Sequence, residues 1–247
     1  MKGLPRWQRL LIISALIQQA GCGIIPMWPD LPDKGTCRNF AISDWGGLSP
    51  WTEIKWATEV HHIDEPMLAM WGWKGDLSNP ADVCGPIGVG MVKERIAAAR
   101  AAHPTKKVWL NWSTEEWIAV TTHCAEPPGL GADVVSMDSY GGIWDWDAHL
   151  KHRLNQMYRL LEPGQMMGLV PEAHYYPAGG VDWDPIDYVM LGSLYLRWMF
   201  DHQDEGKLYA LAPFYWKSGP DMLGMEGNPQ VAQFYAAIQQ EYPRCAP

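Results

Sequence analysis

From Ser49 to the C-terminus, short apolar runs alternate with longer stretches of helical periodicity, and few folds are open to a chain with that alternation. The strand candidates are Met67–Trp73, Lys107–Trp112, Asp133–Asp138, Met166–Pro171 and Leu208–Trp216. Each is mostly apolar without strict alternation, as in strands covered on both faces of a parallel sheet. Three helices along the chain open on a capping residue followed by proline, at Ser49-Pro50, Asp184-Pro185 and Asn228-Pro229. A further helix spans Val89 to Ala102 and ends before Pro104. Asp147 to Leu161 places Leu150, Leu154, Met157, Tyr158 and Leu161 on one face, and the last helix does the same with Val231, Phe234, Tyr235, Ile238 and Tyr242. Repeated strand–helix order implies βαβ units, hence a barrel or a doubly wound sheet.

The strand ends choose between the two. Each run finishes in polar or aromatic residues: Trp73-Lys74-Gly75-Asp76, Asn111-Trp112, Asp138-Ser139-Tyr140, Glu172-Ala173-His174-Tyr175 and Tyr215-Trp216-Lys217. Chemistry delivered at the C-terminal end of nearly every strand is how a (β/α)8 barrel builds a site. A doubly wound sheet gathers it at one switch point, often with a Gly-rich phosphate loop that this chain lacks. The fold class expected is therefore α/β, a (β/α)8 TIM barrel or partial barrel, forming one domain over residues 1–247. Adding Ile24–Trp28 gives six strands, and Phe40–Ser43 is either a seventh or a loop. A closed barrel needs eight, so strands are hidden or the chain lacks its first βαβ portion.

The N-terminus has two readings. Basic Met1–Arg9, apolar Leu10–Ile17 and Cys22 after Gln19-Ala20-Gly21 resemble a lipoprotein signal, although Gln19 fits it poorly. Alternatively Leu4, Trp7, Leu11 and Ala15 form one face of a barrel helix that feeds Ile24–Trp28, the reading we prefer. Localisation, cytoplasmic or secreted, follows from that choice. The five cysteines are scattered without CxxC spacing, which leaves room for one or two disulfides and no recognisable zinc site. A formal charge of −9 argues against nucleic acid. No run reaches the roughly 18 apolar residues of a membrane-spanning helix. Fifteen Trp and 10 Tyr against 4 Phe suit pockets that stack on sugar rings and bond their hydroxyls, although large barrels also bury many aromatics. Oligomeric state is left open, and no cofactor or metal is called for.

Several segments resemble clan A glycoside hydrolase-like barrels. Glu65-Pro66-Met67-Leu68-Ala69-Met70-Trp71 followed by Gly75-Asp76 is similar to that clan's fourth strand, which runs into a "GDEP" end. The helix ending at His103-Pro104 and Val108-Trp109-Leu110-Asn111 resemble the next unit. Gly131 to Tyr140 resembles the sixth strand, Met166 to Glu172 the seventh and Leu208 to Trp216 the eighth. The resemblance spans roughly residues 10–240 and implies that the N-terminal helix and Ile24–Trp28 are the second helix and third strand. It implies Glu172 as nucleophile and Trp216 as the floor of a sugar subsite. At the "GDEP" end, where that clan keeps its acid/base Glu, Leu77 follows Gly75-Asp76, so Asp76 alone is left for the acid role.

Glycoside hydrolysis needs two carboxyl groups, about 5–5.5 Å apart for retention or about 6.5–9.5 Å for inversion. The catalytic candidates are Glu172 and Asp76, with the shorter Asp leaning the pair toward inversion. The substrate-binding candidates are Trp216, Tyr140, Asn111, Asp138, His174 and Trp112, with Trp73 and Tyr175 behind them. Trp144-Asp145-Trp146-Asp147 is either a subsite wall or a helix lead-in, and His61-His62, lying ahead of a strand, is structural. The expected function is a glycoside hydrolase-like protein acting on an oligo- or polysaccharide. The alternatives are a non-catalytic carbohydrate-binding barrel that lost its acid at Leu77, and a metal-dependent hydrolase using Asp76, Asp138, Glu172 and His174.

Overall fold

A computed structural model describes residues 31–42, 53–54, 56–68, 72–139, 146–173, 185–213, 224 and 227–246. Six strands are present: β1 Ala41–Ile42, β2 Val60–Asp64, β3 Lys107–Ser113, β4 Val134–Asp138, β5 Met166–Leu169 and β6 Leu208–Leu211. All pairings are parallel, and the order across the sheet is β1-β6-β5-β4-β3-β2. Neighbours thus follow chain order, and the last strand returns beside the first, as a barrel requires and a doubly wound sheet with its reversal point does not. The sheet curls into a partial barrel. Its open side lies between β1 and β2, so among the described residues the gap falls after the first strand instead of ahead of it. Phe40–Ser43, expected as strand or loop, supplies β1.

Side chains alternate across each strand, and the two faces form separate cores. Val60, Trp109, Val134, Val170, Ala210, Ala212 and Ala41 fill the concave interior with Ile54. Trp109 dominates it. Its indole lies over Gly168, where an added Cβ would come within 2.1 Å of the ring, so β5 must be bare at that point. The outer face carries Ile63, Val108, Leu110, Trp112, Val135, Met137, Met167, Leu169 and Leu211 against the helices.

Those helices are α1 Trp56–Glu59, α2 Pro80–Cys84, α3 Met91–Ala102, α4 Thr114–His123, α5 Lys151–Leu160, α6 Pro185–His202 and α7 Pro229–Glu241. The expected faces are the buried ones: Leu154, Met157 and Tyr158 on α5, and Val231, Phe234, Tyr235 and Ile238 on α7. Asn228 caps α7 through the Val231 amide. No described helix is long and apolar enough to cross a membrane. The helix and strand expected within residues 4–28, and the cap at Ser49-Pro50, lie outside the described residues.

Two expectations fail. The described residues of Met67–Trp73, namely 67, 68, 72 and 73, form no strand: Pro66-Met67 turns and Gly72 has φ +86, a conformation that favours glycine. The strand is the preceding segment, Val60–Asp64, so His61-His62 lies within a strand and not ahead of one. Thr114–His123, unrecognised as a helix, is opened by a capping box between Ser113 and Glu116.

Segment 31–42 is sewn to the C-terminus. Cys37–Cys245 is a disulfide, the Arg38 amide donates to the Pro243 carbonyl, and the Tyr242 hydroxyl donates to the Pro32 carbonyl. A second disulfide, Cys84–Cys124, ties the end of α2 to the end of α4. Arg38 is 1% exposed and fully employed, donating to the carbonyls of Tyr242 and Phe40 and to both carboxylate oxygens of Glu53.

Candidate active site

Strand register stacks polar residues toward the C-terminal end of the interior. Asp64 pairs with Asn111, Asn111 with Ser136, Ser113 with Asp138, and Asp138 with Val170. Above the apolar layer of Trp109 and Val134 runs a hydrogen-bond chain. The Trp109 indole donates to the Ser136 hydroxyl (2.6 Å), which donates to the Asn111 carbonyl oxygen (2.6 Å). The Asn111 amide then donates to Asp64 (2.9 Å). Asn111 is therefore buried with both ends of its amide employed, which makes it a strut for Asp64 and not a free hydroxyl ligand. His62, beside Trp109 in the layer below, is held neutral by burial and by His61, so its 3.8 Å approach to Asp64 is not an ion pair.

At the next level three carboxyl groups from three elements converge. Glu65 follows β2, Asp138 ends β4, and Glu116 lies in the first turn of α4. Glu65 has φ +40, rare for a residue with a side chain, and its amide donates to the Asn111 carbonyl at 2.9 Å. Its carboxyl is hydrogen-bonded to that of Asp138, and two carboxyl groups in contact hold a proton between them. Burial first, then the charges of Asp138, Asp64 and Glu116, push Glu65 up to about 8. Glu116 is fully buried; burial raises it to about 7 against the opposing pull of the Ser113 and Met67 amides, which donate to its two oxygens.

Glu172 stands two residues beyond Val170, the partner of Asp138, and shares its face of the sheet. It is 6% exposed, and its Oε2 has no hydrogen-bond partner among the described residues. Burial alone pushes it up to about 8. None of the described Lys or Arg side chains forms an ion pair with Glu65, Glu116 or Glu172. A mouth lined with buried, proton-holding carboxyls can donate or accept protons near neutral pH, which is what acid–base chemistry asks of a site.

Asp76 does not belong to this group. It is exposed on the loop before α2, where its carboxylate accepts from the amide and the hydroxyl of Ser78, both at 2.8 Å. Those bonds lower its pKa, the reverse of what a general acid needs. Trp112 faces the helices, fully buried, with its indole donating to the Pro128 carbonyl at 3.0 Å; it is core and cannot stack on a substrate. Trp73, likewise buried, donates to the Ile87 carbonyl. Indeed the described indoles of Trp73, Trp109, Trp112, Trp117, Trp146 and Trp198 are all buried, so that share of the tryptophan excess serves packing. Trp216, Tyr140, His174, Tyr175, Trp144 and Asp145 lie outside the described residues. Among those described, no group of three or more His, Cys, Asp or Glu side chains is arranged to hold a metal ion.

The residues that sequence reasoning missed are Asp64, Glu65 and Glu116. Their signals were the Asp64-Glu65-Pro66 tripeptide directly after the β-branched and His-rich run Val60–Ile63, and the Ser113-x-x-Glu116 box. Compared with family models, curated proteins and solved structures, the chain finds no match.

Proposed function

We propose that this chain is a glycoside hydrolase-like protein acting on an oligo- or polysaccharide at the C-terminal mouth of its sheet, with Glu65 and Glu172 as the carboxyl pair. The observation that carries the reading is the two carboxyls themselves, both at strand ends and both pushed up to about 8 by burial, Glu65 also by the neighbouring Asp138, Asp64 and Glu116. Glu65, sharing a proton with Asp138, is suited to protonate a leaving-group oxygen. Glu172, with a desolvated oxygen and no described counter-charge, is suited to attack the sugar or to activate water. The resemblance to clan A barrels was carried by Gly75-Asp76, but an Asp-Glu-Pro sequence follows β2 at Asp64-Glu65-Pro66, twelve residues before Leu77 if counted from Glu65. A barrel that lost its acid at Leu77 draws no support, because Leu77 sits on a turn and packs against the core.

The experiment is a panel of glycosides and oligosaccharides offered to the wild type, Glu65→Gln and Glu172→Gln. Turnover should be confined to the wild type and follow a bell-shaped pH profile centred near 8, where one proton resides on the pair. Oligosaccharide binding without turnover, unchanged in Glu172→Gln, would instead identify a sugar-binding barrel.

A further inference from the structure

Glu116 does more than cap a helix. In a capping box the glutamate returns one bond to the backbone amide of the cap residue, and glutamine does so equally well. Here one oxygen of Glu116 accepts from the Ser113 amide at 2.8 Å, while the other accepts from the Met67 amide, 49 residues away in sequence. The Ser113 hydroxyl accepts from the Glu116 amide at 3.2 Å and closes the box. Met67, also fully buried, lies two residues past Glu65, whose φ of +40 has to be held by its surroundings. The turn is fixed at both ends: the Glu65 amide is bound to the Asn111 carbonyl, and the Met67 amide to Glu116. A buried acid is costly, and only a carboxylate offers an acceptor oxygen to each of two amides; an amide side chain would set its own N–H₂ against one of them.

We propose that Glu116 is a positioning residue: its carboxylate, anchored by the Ser113 box, grips the Met67 amide and holds the Glu65 turn so that the Glu65 carboxyl meets Asp138. This deepens the glycosidase reading and rests on it for the purpose of that placement. The groups facing Glu65 are Asp64 from its own strand end, Asp138 from β4 and Glu116 from α4; those facing Glu116 are Asp138, Glu65, the two amides and the Ser113 hydroxyl. Removing the Glu116 charge and freeing the turn both make ionised Glu65 easier to form, so the two effects add in one direction.

Two measurements test it on the full chain without any sugar, so an absence of glycoside turnover leaves them standing. In the wild type, the Met67 and Ser113 amide resonances should follow a single titration near pH 7, because they share one carboxylate. Independent titrations, or none at Met67, overturn the proposal. In the infrared spectrum, the protonated-carboxyl band that Glu65→Gln removes should disappear near pH 8 in the wild type. In Glu116→Gln it should disappear at least about one pH unit lower. Ser113→Ala, which removes the hydroxyl from the cap and from Glu116 but spares both amide bonds to Glu116, should lower thermal stability and leave that band's titration in place. A Glu65 titration unmoved in Glu116→Gln, or moved as far in Ser113→Ala, overturns the assignment. If Glu116→Gln does not fold, the wild-type amide titration decides alone.

Discussion

Arg38 and Glu172 are both charged residues taken almost wholly out of water, at 1% and 6% exposure, yet they are treated in opposite ways. Around Arg38 the fold supplies a carboxylate, two carbonyls and a disulfide next door, so the guanidinium keeps its charge and staples the two ends of the described chain. Around Glu65 it supplies further carboxyls, and around Glu172 burial with no described counter-charge, so in both the charge is suppressed and a proton retained. A buried ion that is fully partnered is explained by architecture. Buried carboxyls set against one another serve stability poorly, and such groups cluster where proton transfer is done. The contrast separates the structural end of this molecule from its proposed working end.

The contrast is broken most severely if the mouth carboxyls prove dispensable. Glu65→Gln and Glu172→Gln should each cost turnover roughly 10²–10⁴-fold while circular dichroism and melting stay close to wild type at and below about pH 4.5, where the wild-type carboxyls keep their protons in both states. At the other end the order reverses. Arg38→Met should leave turnover per folded molecule intact but cost about 3–5 kcal/mol of stability, since it strands Glu53 and two carbonyls inside the structure. Denaturant unfolding alongside specific activity reads both. An Arg38 variant that loses activity without losing stability would erase the distinction.

The same contrast predicts a pH dependence. A carboxyl near 4.5 when unfolded and about 8 when folded binds its proton more tightly in the native state. Its favourable contribution is present below pH 4.5 and is lost progressively as pH rises through 8. Thermal stability should therefore fall from pH 5 to pH 9. Glu172→Gln, which cannot ionise, should flatten that fall by on the order of 2–4 kcal/mol, with the difference growing as pH rises.

How much of this could be seen in the sequence depended on how deeply each element is buried. β3, β4 and β5 are covered on both faces, so their apolar runs stood out and their ends were placed nearly to the residue. β2 borders the sheet's open side, and its burial alternates between full and partial. Such a strand tolerates His61 and His62, and its apolar signal was weaker than that of the loop behind it. Met67 in that loop is apolar because it is buried under Glu116, not because it is a strand. Shifting the strand onto that loop carried the candidate acid with it, from Glu65 to Asp76. Glu172 was found because β5 was found. Trp112 was misassigned by one position of alternation: its neighbour Asn111 faces the interior, and Trp112 faces the helices.

Asp76→Asn should have the smallest effect, and it decides between the two acids the chain offers. The Asp76 Oδ1 accepts both bonds from Ser78, and an asparagine carbonyl oxygen can take the same two bonds in the same turn. An exposed side chain keeping its acceptor should leave stability close to that of the wild type. Turnover should remain within a factor of two or so of wild type, as for a surface residue with no part in the chemistry. Glu65→Gln made in parallel removes the proton shared with Asp138 while changing the side-chain volume little. If Asp76→Asn were instead the variant that loses turnover, and Glu65→Gln the silent one, the working site would lie on the exposed loop. The carboxyl cluster of the mouth would then be a cost of folding without a function. The opposite charge environments of the two residues argue for the first outcome: only Glu65 has a proton to give at neutral pH.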